Sequence, residues 1–196
     1  LPWRLYAADP NWIPPLIGDQ KKLLDPAANP FFEHGEIEPF LARRDGRIVG
    51  RIAAIRNRGH EAFHDEAVGF FGFFECEDDL EAAAALFGRV RRWLAERGLA
   101  VMRGPMNPST NEDCGLLVEG FDTPPMIMMP HGLPYYPPLV EGCGLVKVKD
   151  LYAFIVTQQT VPERLVRGAA IARRANPEIE VRPLDTKRFR EEVEAF

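Results

Sequence analysis

The sequence has few cysteines, no long apolar run and no excess of positive charge. Its three cysteines, Cys76, Cys114 and Cys143, are widely spaced and form no C-x-x-C pair, so neither a disulfide scaffold nor a thiolate zinc site is expected. No apolar run approaches the roughly 20 residues that span a bilayer, and no basic, apolar leader is present. We therefore expect a cytoplasmic protein with reduced thiols that does not act at a membrane.

The charge balance argues against a nucleic-acid-binding protein. The chain carries 29 acidic residues against 24 Lys and Arg, which gives a net charge of -5 and a pI near 5.5. A surface that binds phosphates is usually basic. With 196 residues, 46% of them hydrophobic, the chain can form one domain with a core, or one domain plus part of another.

A β-hairpin is predicted in the first half of the chain. Strands at 40–44 and 47–56 flank Asp45-Gly46, which is a strong two-residue turn signal. A third, aromatic strand follows at 67–76. Its two glycines indicate a bulge or a close backbone approach.

Helical periodicity begins directly after this strand. Asp78 is the predicted N-cap, Glu81 lies three residues further in capping-box position, and Gly98 ends the helix. A short strand begins at Ala100 and leads into a long polar loop. Beyond the loop we expect strands at 146–156 and 179–183, and helices at 161–175 and from 186 onward.

This order of elements predicts an α+β fold. A mixed sheet is flanked by helices, which gives a three-layer α/β arrangement. A crossover connects the strand near residue 70 to the parallel strand near residue 101. Ligands in such sheets tend to bind at the carboxyl ends of the crossover strands. These ends lie at Glu75 and Arg103, so a site is expected beside the long loop.

The long loop is rich in side chains that form hydrogen bonds. Asn107, Ser109, Thr110 and Asn111 are either turn formers, whose side chains bond to their own backbone, or the polar floor of a site for a small acceptor. Three further candidates for substrate binding or catalysis follow in the chain: His131, Tyr135 and Tyr136. Glu75 is either a general base or plain surface charge.

One motif resembles a zinc site by its letters alone. His60, Glu61 and His64 form H-E-x-x-H, which binds zinc when a helix presents both histidines on one face. The segment lies between two predicted strands and is followed by Asp65 and Glu66. We interpret it as an exposed polar connector and expect no metal.

Seven runs resemble a known family as strings. They are LPWRLY (1–6), DPNWIPPL (9–16), NPFFEH (29–34), GRIAA (50–54), GFFGFFE (69–75), GPMNPSTN (104–111) and GLLVEGFD (115–122). They resemble bacterial proteins that have two units of the acyl-CoA N-acyltransferase (GNAT) type in one chain. The resemblance implies a GNAT-like unit at 1–156 that lacks its first strand, a linker helix at 157–177, and the start of a second unit at 178–196.

The resemblance also implies an activity. The protein would transfer an acyl group from an acyl-CoA or related thioester to the amine of a small acceptor. Glu75 would accept a proton from the amine, Tyr136 would protonate the leaving thiolate, and the loop at 107–111 would position the acceptor. Acyl-CoA would be a co-substrate, and no cofactor would be bound tightly. Whether the protein forms a homodimer is left open. The alternative is a degenerate, non-catalytic GNAT module that binds a ligand or supports the second unit.

The sequence departs from the resembled family at one place that matters for CoA. The family holds the CoA pyrophosphate with a Q/R-x-x-G-x-G/A loop between the third strand here and the following helix. This chain has Glu75, Glu77, Asp78 and Asp79 there and no glycine. Because acids satisfy a helix N-terminus themselves and repel phosphate, we expect weak or no CoA binding by this unit.

Overall fold

The computed structural model describes residues 1–155 and 161–194, in two compact units, Leu1–Asp150 and Leu151–Phe196. The first unit contains a four-stranded sheet with strand order β1-β2-β3-β4. Its strands are β1 Gly35–Arg44, β2 Arg47–Asn57, β3 Val68–Cys76 and β4 Val101–Arg103. Its helices are α1 Pro2–Leu5, α2 Ile17–Leu23, α3 Arg58–His64, α4 Leu80–Ala95 and α5 Tyr136–Gly142. A 3-10 turn at Pro30–Glu33 precedes β1.

The sheet is mixed, as the sequence predicts. β1, β2 and β3 are antiparallel neighbours, and β4 pairs with β3 in parallel. The hairpin turn is also confirmed: Asp45 and Gly46 have φ values of 51° and 78°, and two positive φ angles are typical of a type I′ turn. The fold is therefore α+β with a mixed four-stranded sheet.

Both faces of the sheet are covered. On one face the buried aromatic and aliphatic side chains of α4 pack against β2 and β3, together with the first turn of α5. On the other face Phe31 from the 3-10 turn packs against Ile55 and Phe70, with Leu23 and Met106 at the margin. Successive residues of a strand face opposite sides, so β2 and β3 supply both cores.

The helix α4 begins one residue later than predicted. Its N-cap is Asp79, not Asp78, and the Asp79 carboxylate accepts a hydrogen bond from the Ala82 N–H at 3.0 Å. Both acids suit the cap chemically, and the register of the helix decides between them. After the helix, Gly98 has a φ of 75°, as expected for a glycine that ends a helix.

A β-bulge interrupts β3 just before its carboxyl end. The pairing with β2 shifts between Arg51 and Ala53, and Phe73 has a φ of 53°, a left-handed conformation that is strained for a bulky residue. The long loop approaches closely here: a Cβ on Gly72 would lie 1.7 Å from the Met106 carbonyl oxygen. The predicted bulge is confirmed, and the loop packs directly on it.

Two predicted strands are wrong. Residues 146–155 form no strand, although they are rich in apolar residues, and residue 156 lies outside the described residues. Residues 179–183 form no strand either. The second unit contains the helices α6 Glu163–Ala175 and α7 Phe189–Glu194. Within residues 1–155 and 161–194, no helix is long and apolar enough to cross a membrane.

Candidate functional site

Glu75 and Tyr136 meet at the carboxyl end of β3. The Tyr136 hydroxyl donates a hydrogen bond of 2.6 Å to a Glu75 carboxylate oxygen, and it accepts one of 3.3 Å from the Cys76 N–H. β3 supplies Glu75, and α5 begins with Tyr136. The two residues predicted to carry the chemistry are therefore in direct contact, 61 positions apart in the sequence.

A second hydroxyl completes this cluster. Tyr6, which follows α1, is buried, and its hydroxyl lies near enough to Tyr136 and Glu75 for both to affect its pKa. The Tyr6 ring stacks on Trp12 with centroids 5.1 Å apart. We call Tyr6, Glu75 and Tyr136 the Glu75 cluster.

Burial controls the protonation of the cluster. It raises the pKa of the Glu75 carboxyl above its usual value, while the hydrogen bond from Tyr136, the charge of Arg51 and the hydrogen bond from Tyr6 act in the opposite direction. Burial and the charge of Glu75 also raise the pKa of Tyr136. A carboxyl group with a raised pKa is closer to the value that a general base needs near neutral pH.

Tyr135 lies beside the cluster without joining it. Its hydroxyl donates a hydrogen bond of 2.8 Å to the Cys76 carbonyl oxygen. Burial and the charges of nearby residues raise its pKa to about 12. Tyr135 and Tyr136 thus hold the backbone of Cys76 at both its carbonyl group and its N–H group.

The polar loop residues are not brought together at Glu75. The Asn107 side-chain oxygen accepts a hydrogen bond of 2.6 Å from the Phe73 N–H, so it holds the bulge of β3. Ser109 donates to Glu112 and accepts from the Asn111 N–H. Thr110 and Asn111 are exposed. Within the described part of the chain, no hydrogen bond joins these side chains to Tyr136.

His131 takes part in a separate polar contact. Its Nε2 lies 2.8 Å from a carboxylate oxygen of Asp9. Although burial acts in the opposite direction, hydrogen bonds from His131 and from the Asn11 N–H lower the pKa of Asp9. Beside this pair is a cleft of about 340 Å³, with Leu5, Asn11 and Phe121 in its walls.

The H-E-x-x-H segment, predicted as an exposed polar connector, forms a short helix between β2 and β3. α3 carries all three residues, with the His60 and His64 rings 4.3 Å apart. The Glu61 carboxylate is bound by Arg56, at 2.8 and 2.9 Å. Among residues 1–155 and 161–194, no group of three His, Cys, Asp or Glu side chains is arranged to hold a metal ion.

The acids at the start of α4 are engaged by arginines. Glu77 contacts Arg4 and Arg47, both at 2.7 Å, and Asp79 contacts Arg44 at 2.8 Å. The Asp79 side chain also caps the helix. This end of the helix therefore already has anionic ligands from its own chain.

Sequence reasoning missed two residues at the Glu75 cluster, namely Tyr6 and Arg51. Arg51 lies opposite Glu75 in the strand register, with a guanidinium nitrogen 3.6 Å from the carboxylate. A charged residue within the apolar run 48–55 of a central strand was the available signal for Arg51. Tyr6 had none, because only the fold brings it to β3.

Comparison with known proteins shows two bacterial relatives. The chain is 42% identical over 198 residues to "Bacterial ceramide synthase" of Caulobacter vibrioides, which covers 100% of this chain and 51% of that protein. It is 37% identical over 195 residues to "Protein YghO" of Escherichia coli K12, which covers 98% of this chain and 49% of that protein. The chain thus spans about half the length of the curated relatives it matches. No protein-family profile and no solved structure matches it.

Proposed function

We propose that the full-length protein is an N-acyltransferase of the GNAT type that forms an amide from an acyl thioester and the amine of a long-chain amino alcohol. The observation that carries this proposal is the 42% identity, over the whole of this chain, to a protein named bacterial ceramide synthase. A ceramide is by definition the fatty amide of such an amino alcohol. The Glu75 cluster supports the proposal because it places a carboxyl and two hydroxyl groups at the end of a sheet strand where ligands tend to bind.

In the proposed reaction Glu75 is the proton acceptor. The amine nitrogen attacks the thioester carbonyl carbon, a C–N bond forms and the C–S bond breaks with its electron pair on sulfur. Glu75 takes the proton that nitrogen loses, and the thiolate receives a proton, so the products are an amide and a thiol. Tyr136 is only 2% exposed and its hydroxyl hydrogen is directed to Glu75. Tyr136 therefore keeps its proton and orients the Glu75 carboxylate, which passes the proton from nitrogen to sulfur.

The test is amide formation by the full-length protein. Palmitoyl-CoA and sphinganine are supplied, and the amide is measured by mass spectrometry. We expect Glu75→Gln to lower kcat/KM by about 100-fold or more, the usual effect of losing a general base. Glu38→Gln is the matched control, since Glu38 is an exposed glutamate on β1, and it should leave the rate unchanged. If the unaltered protein forms no amide with any acyl-CoA and long-chain amine tested, the proposal is wrong.

One observation favours a second candidate function, a non-catalytic supporting unit. The start of α4, where a GNAT protein holds the CoA pyrophosphate, is occupied by Glu77 and Asp79 and by the arginines that pair with them. In that case the full-length protein forms the amide elsewhere. Glu75→Gln and Tyr136→Phe would then leave kcat/KM unchanged, which separates the two candidates in one assay.

A further inference from the structure

Arg51 lies beside Glu75 in an arrangement that no ordinary ion pair explains. The two residues are register partners on β2 and β3, yet the nearest guanidinium nitrogen is 3.6 Å from the carboxylate oxygen. Charge-assisted hydrogen bonds in proteins measure about 2.7–2.9 Å. Elsewhere in this chain Arg56 binds Glu61 through two nitrogens at 2.8 and 2.9 Å. Arg51 therefore lies close enough to Glu75 to interact with its charge but does not form a close hydrogen bond with it.

The donors of Arg51 are correspondingly available. Among the described residues, the Arg51 Nε is the single buried side-chain nitrogen or oxygen atom without a hydrogen-bond partner. A buried donor without a partner in a native protein usually marks the place of a water molecule or a ligand. The Arg51 side chain as a whole is 32% exposed, against 15% for Glu75, while its Nε is buried.

The backbone donors next to Glu75 are already engaged. The Phe73 N–H donates to the Asn107 side chain at 2.6 Å, and the Cys76 N–H donates to the Tyr136 hydroxyl at 3.3 Å. Neither N–H can hold a substrate oxygen without losing its partner. The donor without a partner beside Glu75 is therefore the Nε of the Arg51 guanidinium group.

We propose that Arg51 contacts the carbonyl oxygen of the acyl group, an inference that rests on the proposed acyl transfer. When the amine nitrogen attacks, the carbonyl π electrons move onto oxygen, and the guanidinium group stabilises that negative charge. When the C–S bond breaks, the same electrons re-form the carbonyl and the thiol departs with the proton that Glu75 took from nitrogen. Arg51 neither gains nor loses a proton in this sequence.

The kinetic test uses the full-length protein with palmitoyl-CoA and sphinganine. We expect Arg51→Gln to lower kcat by about 100- to 1,000-fold with little change in KM, as for the loss of a donor to a developing oxyanion. Arg51→Lys keeps the charge and should recover part of the rate. Arg56→Gln, on the same strand, should stay within about threefold of the unaltered protein. A fall in melting temperature with unchanged kcat would show a merely structural Arg51 and would overturn the inference.

A binding test separates this inference from the proposed function. Decanoate carries a carboxylate where the transition state carries an oxyanion, and decanol of equal length carries no charge. By calorimetry on the full-length protein, decanoate should bind at least tenfold more tightly than decanol, and Arg51→Gln but not Arg56→Gln should abolish that preference. If the protein forms amide while Arg51→Gln is fully active, the inference fails and the proposed function stands. If it forms no amide but shows the Arg51-dependent preference, the proposed function fails and the assignment of Arg51 to an acyl oxygen stands. Absence of both results overturns both.

Discussion

Replacing Tyr136 with phenylalanine removes one buried hydroxyl group and leaves the ring in place. That hydroxyl donates to the Glu75 carboxylate at 2.6 Å and accepts from the Cys76 N–H at 3.3 Å. A hydrogen bond to a charged group contributes about 1.5–3 kcal/mol, and a buried N–H left without a partner costs about 1–3 kcal/mol. We expect a total loss of about 3 kcal/mol in the free energy of unfolding, which corresponds to about 6–12 °C in Tm.

The loss should also depend on pH. The hydrogen bond from Tyr136 lowers the pKa of Glu75 against the larger, opposite effect of burial, so it stabilises the charged carboxylate. The substitution therefore costs more above the pKa of Glu75 than below it, where the carboxyl group is protonated. Urea unfolding of the full-length protein at pH 8 and pH 4 measures both costs, and we expect the cost at pH 4 to be smaller by about 1 kcal/mol.

Tyr135→Phe is the matched control for this measurement. The Tyr135 hydroxyl donates to the neutral Cys76 carbonyl oxygen at 2.8 Å, so its removal should cost about 1 kcal/mol at either pH. If Tyr136→Phe costs no more than Tyr135→Phe, or if its cost is the same at both pH values, the contact with a charged Glu75 does not stabilise the protein.

Three further predictions concern stability and are measured by urea unfolding. Gly72→Ala should cost about 3 kcal/mol or more, because the new Cβ would overlap the Met106 carbonyl oxygen. Gly88→Ala, which has open space on α4, should stabilise the protein by up to about 1 kcal/mol. Equal effects of the two substitutions would contradict the packing of the loop on β3. Asp79→Ala should cost about 1 kcal/mol as the loss of a helix cap. An equal cost for Asp78→Ala would instead support Asp78, the N-cap predicted from the sequence. Because the folded pKa of Glu75 is raised, the unaltered protein should lose stability as pH rises from the unfolded pKa of about 4.5 through the folded value. Glu75→Gln should lack this loss. If the stability of the two proteins changes with pH in the same way, the raised pKa of Glu75 is refuted.

The sequence predicted the elements that local patterns determine. Asp45-Gly46 fixes the hairpin turn through its own backbone preferences, and the run of aromatic residues in β3 identifies it as a strand. The segment 146–155 is also rich in apolar residues and forms no strand. An apolar pattern indicates that a segment can be buried, but a strand also needs a partner with free hydrogen-bonding groups, and the pattern carries no information about that partner.

The candidate site divides in the same way. Glu75 was predicted from its place at a strand end and the role of Tyr136 from the family resemblance, and the fold brings the two side chains to 2.6 Å. The predicted substrate-binding role of Asn107 stays a prediction, while its contact with Phe73 required the bulge, which depends on the whole sheet. Tyr6 was missed because its hydroxyl reaches the cluster only through packing of the N-terminal segment.

The distance along the chain between Tyr6 and its partners has a consequence for synthesis of the protein on the ribosome. Tyr6 lies near Tyr136, 130 residues further along the chain, and Asp9 contacts His131 across 122 residues. At about 5–20 residues per second, the ribosome adds the partners of the first residues roughly 6–26 s after the first residues themselves. During that interval Trp3, Tyr6 and Trp12 have no core to pack into, so this aromatic segment is available to chaperones. A pulse of cross-linking on stalled nascent chains should capture it before, and not after, α5 has emerged.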